Sequence, residues 1–224
     1  MGTAFNLDLY LIRHGVTQWN VEKRYLGHSD MPLLHDALEN LQKLKEIVAR
    51  LDAPLLISSD LVRCRETMDY LLPHRHYIVE PRLREFNFGD WEGKTYNELK
   101  DVTAYRQWID NWEKESVPGG ESGQAFKRRV DSWLTEELPT LVVDKCWRIG
   151  AKSSVIVTHG GVIRYIIQIL TKDKDAFWQW NISHGEAVKL SCVYEKGEWQ
   201  CNSLSVVPTR ANDRQLENYT PRKN

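Results

Sequence analysis

The chain has 224 residues, 42% of them hydrophobic and 27% charged, a composition that suits one compact domain with a full hydrophobic core. Thirty basic and thirty-one acidic residues give a formal charge of -1, so no overall positive field draws the chain to nucleic acid or to an anionic membrane. No stretch approaches about 18 uninterrupted apolar residues, and the first residues lack a basic segment followed by an apolar one, so we expect a cytoplasmic protein with no membrane partner.

The first predicted element is a buried strand that ends in residues suited to binding an anion. Residues 7–12 alternate and then become fully apolar, and Arg13, His14 and Gly15 follow at once. An arginine and a histidine at the carboxyl end of a central strand suit an anion site, and the glycine lets a ligand approach the backbone. The same tripeptide also occurs at ordinary polar strand ends, so this segment alone does not decide between the two interpretations.

Two helices are predicted after this strand. Thr17 is a good capping residue for a short first helix, whose free N–H groups can hold an anion, and Asn20 then falls near the strand end. Apolar residues recur at helical spacing between residues 37 and 51, which predicts an amphipathic helix packed on a sheet.

A second buried strand is predicted at residues 54–59, and Ser59 or Asp60 is expected to cap a helix that continues to about Leu72. Arg63 lies on the first turn of that helix. A guanidinium one turn beyond a strand end is a candidate phosphate-binding group, because it can donate to two phosphate oxygens at once. The alternative is a solvated helix arginine with no functional role.

A short strand at residues 77–79 leads to a loop in which Glu85 stands among large apolar residues. A carboxyl group in such surroundings is a candidate proton donor and acceptor. The alternative is that Glu85 only forms an ion pair with Arg82 or Arg84. The loop by itself does not decide between these roles.

Residues 94–123 are predicted to form a helical cap inserted between core elements. Tyr105, Trp108, Ile109 and Trp112 stand at helical spacing, so one face of a helix in this segment is aromatic. We interpret this face as the packing surface of the cap rather than as a ligand-stacking surface, although its edge can serve both purposes. A Pro-Gly-Gly turn ends the helix, and a longer helix follows.

The last core segment repeats the pattern of the first. A buried strand at residues 154–158 runs into His159, Gly160 and Gly161, and an apolar helix follows to Leu170. Two strands of one sheet that both end in His-Gly are hard to explain by packing alone.

Residues 187–193 and 199–206 are predicted to form a hairpin on the edge of the sheet. Cys192 and Cys201 flank its turn and could face each other across it. The four cysteines show neither a C-x-x-C pair nor the density of a disulfide scaffold, so we expect reduced thiols. The seven histidines form no metal-binding pattern, so we predict no metal and no cofactor.

If the predicted strands are parallel neighbours, the side chains that follow them meet at one edge of the sheet. These side chains are Arg13, His14, Arg63, Glu85 and His159. Arginines and a second histidine can hold the three oxygens of a phosphoryl group without a metal, while a neutral imidazole attacks the phosphorus. The guanidiniums also disfavour protonation of His14. The sequence does not distinguish which ring nitrogen attacks.

Five motifs, in this order, resemble the histidine phosphatase superfamily, which has the phosphoglycerate-mutase-like fold. They are residues 11–17 (LIRHGVT) with Asn20, 58–63 (SSDLVR), 83–85 (LRE) with 89–93 (GDWEG), 118–122 (PGGES), and 158–164 (THGGVIR). The resemblance covers residues 7–206. It implies an α/β fold in three layers, α/β/α, with a mixed, largely parallel central sheet and a small helical cap.

The resemblance also implies roles for individual residues. It makes His14 the nucleophile and Glu85 the acid and base, with Arg13, Arg63 and His159 around the phosphate. Substrate contacts are expected at Asn20, Gly160, Glu121 and Ser122. We predict a single histidine-phosphatase domain over residues 1–208, with the cap at about 94–123, followed by a disordered tail at 209–224.

The cap residues 105–112 and the helix around 124–130 resemble the alpha-ribazole phosphatases of cobalamin biosynthesis. We therefore expect a phosphomonoesterase that needs no metal and acts on alpha-ribazole 5'-phosphate through a phosphohistidine, with this small-molecule substrate as its one partner. A broad-specificity phosphatase remains the first alternative. A phosphoglycerate-type mutase and a non-catalytic phosphate-binding domain are less favoured alternatives. The oligomeric state cannot be read from the sequence.

Overall fold

A computed structural model describes residues 4–146, 149–173 and 176–208. Its strands are β1 (Phe5–Arg13), β2 (Leu55–Ser58), β3 (Ile78–Val79), β4 (Ser153–Thr158), β5 (Ala187–Glu195) and β6 (Glu198–Val207). They form one sheet in the order β3-β2-β4-β1-β5-β6. The first four strands in this order pair in parallel, and β5 and β6 add an antiparallel edge. The predicted mixed, largely parallel sheet is confirmed.

Helices cover both faces of this sheet. They are α1 (Gln18–Val21), α2 (Gln42–Val48), α3 (Val62–Leu71), α4 (Tyr96–Leu99), α5 (Thr103–Asn111), α6 (Gly123–Ser132), α7 (Leu138–Lys145), α8 (Gly160–Thr171) and α9 (Ala176–Gln179). Short 3₁₀ turns lie at His35–Leu41, Pro81–Leu83 and Gly89–Trp91, and a π-helical segment, Trp133–Glu137, joins α6 to α7. The three-layer α/β/α architecture is confirmed.

The alternation of side chains along β1 explains the three layers. Leu7, Leu9 and Leu11 point into one core, which also holds the inner faces of α6, α7 and α8. Tyr10 and Ile12 point into a second core under α2 and α3. Because successive side chains of a strand face opposite sides, a strand with apolar residues on both faces needs a cover on each of them.

The pairing of β1 with β4 positions the site. Arg13 is the register partner of Thr158, so the residues that follow the two strands, His14 and His159, lie side by side at the carboxyl edge of the sheet. The backbone N–H of His14 donates to the carbonyl oxygen of Thr158 at 3.0 Å, which extends the pairing by one residue. This edge is where open α/β sheets bind their ligands.

Two of the helix predictions need correction. The predicted helix over residues 37–51 begins as a 3₁₀ turn, and only Gln42–Val48 is α-helical. Neither Ser59 nor Asp60 caps α3. The Val62 N–H instead donates to Asp30 of a distant loop at 2.7 Å, while Asp60 accepts from Arg84. A partner that is remote in sequence therefore replaces the local cap.

The predicted cap segment contains α4 and α5, and the aromatic side of α5 is buried, with Ile109 exposed at its edge. Cys192 and Cys201 are register partners across the hairpin, and both are free, buried thiols. Within the described part of the chain, no helix is long and apolar enough to cross a membrane. The predicted tail at 209–224 lies outside the described residues.

Candidate active site

His14 lies in the loop directly after β1 and is only 4% exposed. Its Nδ1 is 2.7 Å from the carbonyl oxygen of Gly15. Because a carbonyl oxygen can only accept, Nδ1 carries the hydrogen and the lone pair of the neutral ring is on Nε2. The geometry therefore leaves Nε2 as the ring nitrogen with an available lone pair, a choice that the sequence left open.

The surroundings of His14 keep its imidazole neutral. Burial lowers the pKa of His14 well below its usual range, and the positive charge of Arg63, the neighbouring ring of His184 and the charge of Arg13 lower it further. A neutral imidazole has a lone pair available at neutral pH, as nucleophilic attack requires.

Arg63 is fully buried, which contradicts the alternative of a solvated helix arginine. Its Nη1 donates to the carbonyl oxygen of Ser29 at 2.9 Å and its Nη2 to that of Gly27 at 2.6 Å. These bonds fix the plane of the guanidinium. Its Nε is buried and has no hydrogen-bond partner among the described residues.

Arg13 shows the same arrangement at the end of β1. Its Nη1 donates to the carbonyl oxygen of Ile182 at 2.7 Å, and its buried Nε has no partner in the described part of the molecule. A buried N–H group without an acceptor costs free energy. Arg13 and Arg63 therefore each present an unsatisfied donor that an anion in the site can relieve.

His159 contacts Arg63, Ser59 and Cys64. The Nη2 of Arg63 donates to Nδ1 of His159 at 3.3 Å, so Nδ1 is the acceptor of this ring and Nε2 carries the hydrogen. Nε2 lies 3.0 Å from the Ser59 hydroxyl and 3.4 Å from the Cys64 sulfur. Burial and Arg63 lower the pKa of His159 well below its usual range, so this ring is also neutral.

Glu85 faces the N-terminus of α8. One carboxylate oxygen accepts from the backbone N–H of Gly161 at 2.9 Å, and the other accepts from the N–H of Phe86 at 2.9 Å. A Cβ on Gly161 would lie 2.3 Å from the Glu85 carboxylate, so only glycine permits this contact. Arg82 pairs with Glu80 and Arg84 with Asp60, so the alternative of an ion pair between Glu85 and either arginine is wrong.

Arg129 fixes the backbone that carries Glu85. Its guanidinium donates to the carbonyl oxygens of Arg82, Arg84 and Glu85 at 2.6 to 2.8 Å. The same guanidinium forms a two-point ion pair with Glu121. Arg129, which the sequence analysis missed, is thus the link between this loop and α6.

Of the residues predicted to contact substrate, two are engaged within the fold and one lies beside Arg13. Glu121 is engaged by Arg129 and by the Asn87 N–H, and Ser122 caps α6 through the Ala125 N–H. We leave these two residues out of the proposed site because their polar groups are used within the fold. Gly160 lies against Arg13, whose guanidinium a Cβ at this position would touch at 3.5 Å.

Asn20 is oriented by a capping box at the start of α1. Its side-chain oxygen accepts from the backbone N–H and the hydroxyl of Thr17, at 3.0 and 2.9 Å. The side-chain amide N–H groups of Asn20 point away from this bond. Asn20 also lines a cavity that touches Arg13 and His184.

His184 is a further site residue that the sequence analysis missed. Its Nδ1 donates to the backbone oxygen of His14 at 2.8 Å, and the two rings lie 5.1 Å apart. Burial, with the charge of Arg13 second, lowers the pKa of His184 to about 4. The sequence does contain a feature that could have identified His184. His184-Gly185 is a third His-Gly pair, but it precedes a strand instead of following one.

An aromatic cavity of about 400 Å³ opens beside Glu85 and Gly161. The residues that line it are Tyr25, Glu85, Phe86, Phe88, Trp108, Ile109, Trp112, Phe126, Gly161, Arg164 and Phe177. The edge of α5, in the predicted cap segment, thus contributes both to packing and to a cavity wall. A cavity of this size and lining suits a small planar group.

The buried imidazoles predict an acid-sensitive fold. Because the pKa of His184 is lower in the folded chain than in the unfolded one, the unfolded chain binds the extra proton between about pH 6.5 and 4. Stability is therefore complete above this window and falls as the pH falls through it. His184→Asn keeps a hydrogen-bond donor near the His14 oxygen. In this variant the slope of the free energy of unfolding against pH should be smaller by up to about 1.4 kcal/mol per pH unit.

Urea unfolding from pH 7.5 to 4.5 measures this difference. The exposed His76 gives the matched control, because His76→Asn removes an imidazole with no burial cost. Parallel stability profiles for wild type and His184→Asn would contradict the assignment of a proton-linked role to His184.

Comparisons with known proteins agree with this geometry. The family model of the histidine phosphatase superfamily, branch 1, matches residues 9–206. The adenosylcobalamin/alpha-ribazole phosphatase of Escherichia coli K12 is 29% identical over 188 residues, which cover 80% of this chain and 87% of that protein. A probable phosphoglycerate mutase GpmB of Enterobacter sp. 638 is 34% identical over 69% of this chain and 70% of its own length.

The fold has a solved counterpart. The crystal structure of the alpha-ribazole phosphatase from Shigella flexneri superposes with a TM-score of 0.73 at 26% sequence identity, covering 87% of this chain and 94% of that one.

Proposed function

This chain belongs to the histidine phosphatase superfamily, and we propose that it hydrolyses alpha-ribazole 5'-phosphate through a phosphohistidine at His14. That it is a phosphatase follows from the family and from its alpha-ribazole phosphatase relatives. The identity of the substrate, the intermediate and the individual roles of the site residues are the proposal.

In the first step, Nε2 of His14 attacks the phosphorus in line with the ester oxygen. The N–P bond forms as the P–O bond breaks, and Glu85 gives its proton to the departing oxygen. Two features of the site support this step: the lone pair on Nε2 and the carboxyl group at the entrance of the aromatic cavity.

In the second step, water attacks the phosphorus of the phosphohistidine. Glu85, now ionised, takes a proton from the water, the N–P bond breaks, and inorganic phosphate leaves with His14 restored. One carboxyl group thus acts first as an acid and then as a base.

The charge of the transferred phosphoryl group is held by Arg13 and Arg63, while His159 accepts from Arg63 and positions its guanidinium. The unpartnered Nε–H groups of the two arginines are donors already fixed in direction, so they need no reorganisation when charge develops on the oxygens. This arrangement takes over the role that Mg²⁺ has in kinases. We therefore expect activity that is unaffected by EDTA.

The aromatic cavity is the feature that supports alpha-ribazole 5'-phosphate as the substrate. It adjoins Glu85, where the leaving oxygen must lie, and its walls are ring faces and edges. The benzimidazole of alpha-ribazole is planar and apolar, and it can stack there. Phosphoglycerate, the substrate class in the GpmB name, has no ring and carries extra negative charge, so this cavity favours the phosphatase over the mutase.

Steady-state hydrolysis with EDTA present tests the proposal. We expect kcat/KM for alpha-ribazole 5'-phosphate to exceed that for AMP, glucose 6-phosphate and 3-phosphoglycerate by about 100-fold or more. His14→Ala provides the blank. A flat profile would identify a broad-specificity phosphatase, and conversion of 3-phosphoglycerate to 2-phosphoglycerate with a bisphosphate primer would identify a mutase.

A further inference from the structure

A second cavity, of about 290 Å³, adjoins the phosphate site on the side of Arg13. The residues that line it are Arg13, Asn20, Lys23, Arg24, Tyr25, Tyr96 and His184. We call it the basic cavity, because three of these seven residues are cationic and none is a carboxylate. Tyr25 also lines the aromatic cavity, so the two cavities adjoin along this side chain.

Two polar groups of the basic cavity are fixed before any ligand arrives. The amide oxygen of Asn20 is held by Thr17, which leaves the amide N–H groups as donors. Arg24 donates to the carbonyl oxygen of Gly93 at 2.6 Å and to the Glu22 carboxylate at 2.5 Å. Because Glu22 balances Arg24, the excess positive charge of the cavity comes from Arg13 and Lys23.

Lys23 is held at the cavity by an unusual backbone. Its φ of 56° lies in the left-handed region, which costs an ordinary side chain about 1 kcal/mol. The N–H groups on either side of its Cα fix this turn, since Lys23 donates to the Asn20 oxygen at 3.2 Å and Arg24 donates to the Trp19 oxygen at 2.9 Å. In the part of the chain that the structure describes, Lys23 forms no ion pair that would neutralise its charge.

We propose that the basic cavity binds a second phosphate group, carried by the ribose of the same substrate molecule. This inference rests on the proposed function, which places the reacting phosphate at His14 and the base of the substrate in the aromatic cavity. The ribose that joins them then lies beside Tyr25, and a phosphate on its 3'-oxygen faces Lys23, Asn20 and Arg13. Ammonium, amide and guanidinium donors in a cavity without carboxylates match the charge of such a group.

The test compares substrates that differ only in this phosphate. Wild type is assayed on alpha-ribazole 5'-phosphate and alpha-ribazole 3',5'-bisphosphate, and on AMP and adenosine 3',5'-bisphosphate. For each pair we expect kcat/KM to be about 10-fold higher for the bisphosphate, mainly through a lower KM, and the preference to shrink as ionic strength rises.

Lys23→Asn removes the charge and keeps the turn, because asparagine tolerates a positive φ. We expect this variant to reduce the bisphosphate preference to about 2-fold. Lys196 is the matched control. It has a φ of 54°, is exposed in the β5–β6 turn and lies in neither cavity, so Lys196→Asn should keep the wild-type preference.

The outcomes separate the two proposals. If only the adenosine pair is hydrolysed, the alpha-ribazole assignment fails, and the preference within that pair decides the inference. If Lys23→Asn lowers kcat/KM equally for monophosphates and bisphosphates, the basic cavity only attracts the reacting phosphate and the inference is overturned. The absence of a preference in wild type overturns it as well, and no hydrolysis of either pair overturns both proposals.

Discussion

His14→Gln is expected to lower kcat for alpha-ribazole 5'-phosphate by about 10⁴-fold or more, because the variant has no nitrogen lone pair to form the covalent intermediate. Quenching wild type during turnover should trap one phosphoryl group per chain, and the variant should trap none. Thermal unfolding of the variant is the control for folding, since His14 is buried.

The position of the phosphoryl group in the trapped enzyme is part of this prediction. Nδ1 of His14 is occupied by its bond to the Gly15 oxygen, so the phosphate should be on Nε2. Phosphorus and proton NMR of the denatured phosphoenzyme distinguish the two isomers. A phosphate on Nδ1, or a phosphoenzyme that persists in His14→Gln, would contradict the assigned nucleophile.

Glu85→Gln is expected to lower kcat for alpha-ribazole 5'-phosphate by about 10³-fold, because an alkoxide leaving group needs the proton that the carboxyl group supplies. With 4-nitrophenyl phosphate, whose leaving group needs no proton, the first step should be nearly unaffected. The second step still needs a base. We therefore expect a burst of one equivalent of nitrophenol, followed by slow turnover.

Glu80→Gln is the matched control for this experiment, since Glu80 is a buried carboxylate that pairs with Arg82 outside the site. It should show no burst and no dependence on the leaving group. An equal loss for both substrates in Glu85→Gln, without a burst, would rule out the double role of Glu85.

The sequence analysis succeeded where a residue's position follows from the end of a predicted strand. Arg13 is the last residue of β1 and His14 follows it directly. In the same way, His159 directly follows β4. The periodicity of the apolar residues predicted the strands, while their parallel pairing was only a condition of the analysis and is shown by the structure. The roles of these residues in catalysis stay predictions until the variants are measured.

The analysis failed where a polar side chain finds its partner across the fold. Ser59 or Asp60 was expected to cap α3, but Asp60 pairs with Arg84, and Asp30 accepts the Val62 N–H in their place. The substrate contact expected at Glu121 stays a prediction, and Arg129, further along the chain in α6, engages both of its carboxylate oxygens. A local pattern identifies a possible hydrogen bond, and it cannot exclude a better partner that is remote in sequence.

The sequence by itself determined the α/β class, the family and the groups at the ends of β1 and β4, because buried strands and their terminal residues are local features. Only the tertiary structure decided which nitrogen of His14 is free, that His184 supports the His14 backbone, and that an aromatic cavity beside Glu85 and a basic cavity beside Arg13 share Tyr25. These properties depend on distances between residues as far apart as 14 and 184, which are set by packing and cannot be read from the spacing of residues along the chain.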